Sequence, residues 1–92
     1  MYNREDYRKA LEERDKCDLE SNEWRLCQSK VQGIATAMVA AGDSWMVREI
    51  IDELYSLSYC GCELTDGAVQ FELWILESNG YKEEAEKLRE MF

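Results

Sequence analysis

Proline is absent from all 92 residues, so nothing in this chain breaks a helix by removing a backbone donor. Breaks must come from Gly, Asn, Asp and Ser, and these cluster in few places. β-Branched runs are short and no strict apolar/polar alternation persists, which predicts an all-α fold. The punctuation divides the chain into about four helices, a small helical bundle built as one domain over residues 1–92.

Asn3 is a good N-cap for the first helix, with Glu5 and Asp6 in the opening turn where the helix dipole favours them. Gly42 stands where a C′ residue belongs. Between them Ala10, Cys17, Trp24, Val31 and Met38 recur every seventh position, one seam of a heptad. The spacing therefore predicts one long helix, about 39 residues and roughly 58 Å. Its N-terminal half would overhang a small domain and pair with a second copy, making those five residues a homodimer seam. Arg14, Ser21 and Gln28 at the partner positions oppose continuity, as do the caps available between Asp18 and Glu23.

A second helix opens at Asp43 or Ser44 and runs to about Tyr59, with Met46, Val47, Ile50, Ile51, Leu54 and Leu57 as its apolar stripe. Cys60-Gly61-Cys62 reads as a turn. Thr65 is expected to cap a third helix ending at Asn79-Gly80. That helix is apolar almost all round, leaving Gln70, Glu72 and Glu77 for solvent, so it is expected to be central, with Phe71 and Trp74 in the core. The last helix begins at Tyr81 and places Tyr81, Ala85, Leu88 and Phe92 on one face. The run from Gly80 to Leu88 resembles the opening of a helix in a tetratricopeptide-type hairpin; no second copy follows at a repeat period, and no family is assigned from it.

The chain starts on polar residues, Met1-Tyr2-Asn3-Arg4, unlike a signal peptide. Its longest apolar stretch, around Ile34–Ala41, is too short to span a bilayer. A cytoplasmic protein with reduced thiols is expected, in the host cytoplasm if the source is viral. The net charge is −9 without a histidine to soften it, which argues against direct nucleic-acid or membrane binding.

The acids are unevenly spread. Residues 1–23 carry eight acids and five bases, residues 81–92 four and three. Residues 43–80 carry eight acids (Asp43, Glu49, Asp52, Glu53, Glu63, Asp66, Glu72 and Glu77) against Arg48 alone. Solvated helix faces commonly hold acids for solubility, but they usually alternate signs to gain i,i+4 pairs. This region forgoes those pairs and accepts self-repulsion.

Chemistry-bearing constellations are weak. Four thiolates, Cys17, Cys27, Cys60 and Cys62, could in principle hold zinc, yet on a continuous helix Cys17 and Cys27 lie about 15 Å apart and differ in facing by roughly 80°. Glu63 and Asp66 beside the Cys60/Cys62 turn disfavour a reactive thiolate. Candidate carboxylate pairs (Glu49/Glu53, Asp52/Glu53, Glu72/Glu77) have no histidine, glycine-rich phosphate loop or cation between residues 49 and 81 to work with. No enzyme activity, metal or cofactor is expected.

The expected function is a non-enzymatic protein–protein interaction module, an acidic inhibitor or decoy that docks on the basic groove of a nucleic-acid-binding protein. Asp52, Glu53, Glu63, Asp66, Glu72 and Glu77 would carry the charge, and Trp45, Tyr55 and Tyr59 the aromatic anchors. Small acidic chains of this kind are what phages and mobile elements often use against host defence nucleases, an analogy of type and not a match of residues. The alternative is an adaptor that self-assembles through the long first helix.

Overall fold

The computed structural model describes all 92 residues, Met1–Phe92, as five α-helices and no strands. The all-α class holds and the number of helices does not. The chain divides into two compact units, residues 1–42 and residues 43–92.

The first unit is an α-hairpin of α1 (Arg4–Asp15) and α2 (Asn22–Ala40). Asn3 and Asp6 cap α1 reciprocally: Asn3 Oδ1 accepts from the Asp6 N–H at 3.1 Å, and Asp6 Oδ2 from the Asn3 N–H at 2.9 Å. The expected long helix is broken within the region where caps were available. Ser21 Oγ accepts from the Trp24 N–H at 3.1 Å and starts α2, while Glu20 takes a left-handed φ of +64° that no helix interior tolerates. The three polar positions opposed to a seam explain the outcome: Ser21 is the cap, and Arg14 Nη1 donates to Gln28 Oε1 across the hairpin at 2.7 Å. Lys30 and Glu13 pair at 3.4 Å in the same antiparallel register. Tyr7, Ala10, Val31, Ile34, Ala35, Met38 and Val39 are buried.

The second unit contains α3 (Ser44–Tyr59), α4 (Gly67–Ser78) and α5 (Lys82–Arg89). Asp43 caps α3, accepting from the Trp45 and Met46 N–H groups at 3.0 and 3.2 Å. Two Schellman endings follow, each built on a glycine that supplies the positive φ. The Cys62 N–H reaches Leu57 O past Gly61 (φ +82°), and the Tyr81 N–H reaches Leu76 O past Gly80 (φ +92°). The expected Thr65 cap is replaced by Asp66. Asp66 turns its carboxylate back to accept from the Glu63 N–H at 3.0 Å, closing the loop ahead of α4.

The third predicted helix, α4, packs against both α3 and α5, which also touch each other. Val69, Leu73, Ile75 and Leu76 are buried along it. Two residues reverse their expected placement, Glu72 being buried and Trp74 54% exposed, and Phe71, also expected in the core, is only half-buried. A helix apolar on every side does not specify which face turns inward. Contact with two neighbours claims positions 69, 72, 73, 75 and 76, and leaves Gln70, Trp74 and Ser78 outside. No helix of the molecule is long and apolar enough to cross a membrane.

Candidate interaction surface

Of the six carboxylates expected to form the acidic face, four are exposed: Asp52 and Glu53 on α3, Glu63 and Asp66 in the loop before α4. None of these four forms a salt bridge. Thr65 Oγ1 donates to Glu63 Oε2 at 3.5 Å, and the Asp66 cap on the Glu63 N–H holds this pair of acids in one short turn. Their positions are thus set by local hydrogen bonds.

The other two leave the face. Glu77 is half-buried and paired with Arg89 of α5. Glu72 retains only 8% of its surface and its Oε2 lacks a hydrogen-bond partner. Burial first, and the neighbouring Glu53 carboxylate second, push the Glu72 carboxyl up to about 10. It is therefore a neutral acid at physiological pH, able to donate its proton toward Glu53. Neither residue lines the groove found on this unit.

That groove has a volume of 390 Å³ and is lined by Leu64, Gln70, Leu73, Trp74, Glu77 and Arg89. Phe71 lies beside Trp74, ring centroids 6.2 Å apart and planes inclined by 34°. Trp74 and Leu64 escaped the sequence reading as surface residues. The available signal was an excess: one helix with more apolar surface than a small chain's neighbouring helices can cover. Among the expected aromatic anchors, Tyr59 is 87% exposed, Tyr55 is exposed and Trp45 is half-buried.

The proposed dimer seam is distributed differently from a continuous stripe. Ala10, Val31 and Met38 are buried, whereas Cys17 and Trp24 are half-buried beside the hairpin turn. The Arg14 guanidinium lies 5.8 Å from the Trp24 ring centroid, a cation–π contact. With the helix broken, the overhang that suggested pairing with a second copy does not exist.

The break also overturns the separation inferred for Cys17 and Cys27. The hairpin that joins Arg14 to Gln28 makes the two thiols neighbours, and the Cys17 thiol itself donates to the Glu13 carbonyl at 3.5 Å. Desolvation, then Cys27, then Glu23 and Asp18 hold the Cys17 thiol above its ordinary pKa. Desolvation and then Asp66 and Cys60 do the same for Cys62. Both are protonated at neutral pH and correspondingly poor nucleophiles. All four cysteines are free, and no group of three or more Cys, Asp or Glu side chains is placed to hold a metal ion.

Comparison with protein-family models, with curated proteins and with solved structures finds no match to this chain.

Proposed function

We propose that the chain is a non-enzymatic interaction module, an acidic inhibitor or decoy that docks on the basic groove of a nucleic-acid-binding protein. One observation carries the reading: Asp52, Glu53, Glu63 and Asp66 are exposed and none is neutralised by a salt bridge. Fixed, uncompensated carboxylates raise the energy of the free protein and lower it again when a basic surface covers them. The same charges speed association at low salt and lose their effect as salt screens them. Glu72 and Glu77 are no longer part of the proposed contact, the first being neutral and the second paired with Arg89. A host defence nuclease is the class of partner favoured by analogy of type.

The test is competition. The immobilised chain is loaded with lysate, and bound proteins are challenged with double-stranded DNA or with RNA. Release of basic nucleic-acid-binding proteins by the added polymer supports occupancy of their nucleic-acid groove. Retention of the same proteins in its presence contradicts it.

A further inference from the structure

Helix α4 has one stripe too many. Val69, Leu73, Ile75 and Leu76 are buried, and Trp74 still stands 54% exposed on the other side. It lines the 390 Å³ groove together with Leu64, itself 40% exposed, and the buried Leu73. An exposed tryptophan backed by Phe71 is a rigid, wide apolar platform, the residue type that dominates binding energy at protein interfaces.

The charges around the groove select what can occupy it. The ion pair Glu77–Arg89 is satisfied within the lining itself. Glu63 and Asp66 bracket Leu64 in the chain and have no cationic partner. A second copy of a chain with net charge −9 would bring like charges toward the acids flanking Leu64, and a nucleic acid would bring phosphates. A segment combining a bulky apolar side chain with lysine or arginine would be attracted at both features.

We propose that this groove is the anchor site for a basic amphipathic segment of a protein partner, its apolar side chain lying between Leu64 and Trp74 and its cations facing Glu63 and Asp66. The inference rests on the acidic-module reading and adds where the partner is gripped and what it must present. The Trp74 face also accepts an arginine by cation–π stacking, which makes arginine the better neighbour for the apolar anchor.

The probe is a short amphipathic peptide of leucine and arginine, compared with its leucine–glutamate counterpart. The readouts are fluorescence anisotropy and the Trp indole N–H resonances of the full chain, with Trp74 assigned through Trp74→Phe. Binding of the basic peptide is expected to shift the Trp74 indole and leave Trp24 unmoved. Trp74→Ala should weaken it at least tenfold, and Gln70→Arg, which puts a cation on the same exposed stripe, should weaken it without touching a buried residue. The glutamate peptide should leave Trp74 unshifted.

Equal binding by Trp74→Ala and the parent chain would overturn the groove as the anchor site. So would a Trp74 shift produced equally by the glutamate peptide, or by raising the concentration of the chain alone, the signature of a second copy. If the basic peptide binds in a salt-sensitive way while Trp74 stays unmoved, the groove is refuted and the acidic-module reading stands. If it fails to bind even at low salt, both fall.

Discussion

The two units of this protein treat their charges in opposite ways. Residues 1–42 contain four of the five salt bridges, including the inter-helix pair Lys30–Glu13, and reinforce them with the Arg14–Gln28 hydrogen bond. Residues 43–92 contain one, Glu77–Arg89, and leave Asp52, Glu53, Glu63 and Asp66 without a cation. The contrast separates two uses of polar residues. In the hairpin they set register and close a turn, tasks that need partners within the chain. In the three-helix unit the helices are held by apolar burial, and four exposed acids take no part in that packing through a salt bridge.

Substitutions can break this comparison at several strengths. The largest effect is expected in the apolar core of the second unit, where Leu76 is fully buried. Leu76→Ala should cost about 2–5 kcal/mol in urea unfolding. A smaller cost would mean that burial does not hold this unit together.

Glu72→Gln should act in the other direction. The folded-state pKa of about 10 lies above the unfolded value, so the folded state holds a proton that the unfolded state has released. The resulting stability is fully present below the unfolded carboxyl pKa, near 4.3, and is lost as pH rises toward 10. The amide cannot ionise. The variant is therefore expected to gain about 1–3 kcal/mol over the parent at pH 8, with the gap narrowing at pH 5. A gap independent of pH would show that Glu72 is not the titrating group.

Arg14→Ala in the hairpin should cost about 1–2 kcal/mol, since it removes a charge-assisted bond to Gln28 and the contact over Trp24. Glu20→Gly should stabilise the turn by up to about 1 kcal/mol, because glycine adopts φ +64° without steric cost. Smallest of all is Lys30→Ala. Its pair with Glu13 is exposed on both sides, and a loss of less than about 1 kcal/mol is expected in thermal melts.

Features resting on local chemistry were legible in the sequence. Asn3 and Asp43 announce helix starts, and Gly42, Gly61 and Gly80 mark ends whose left-handed φ needs glycine. The long helix misled because a seven-residue recurrence is compatible with two geometries. A hairpin folded at Ser21 also buries Ala10, Val31 and Met38, so the repeat alone could not distinguish it from a continuous seam. What decides between them is the pairing of Arg14 with Gln28, a contact across fourteen positions that no local pattern reveals.

The candidate surface was only half legible for a related reason. Charge asymmetry points to the region, and four of its six named acids are exposed. Which side of α4 faces inward depends on the placement of two neighbouring helices, and that put Glu72 inside and Trp74 outside.

The most direct measurement compares two charge-reversal variants of the full chain in capture from lysate along a salt gradient. One replaces Asp52, Glu53, Glu63 and Asp66 with lysine; the other replaces Glu12, Asp18, Glu20 and Glu23 of the first unit, an equal change in net charge. Basic nucleic-acid-binding proteins are expected to stay with the parent and the first-unit variant until moderate salt, and to be absent from the second-unit variant. Equal loss from both variants, or equal retention by both, would contradict the claim that the acids of residues 43–92 form a specific contact surface.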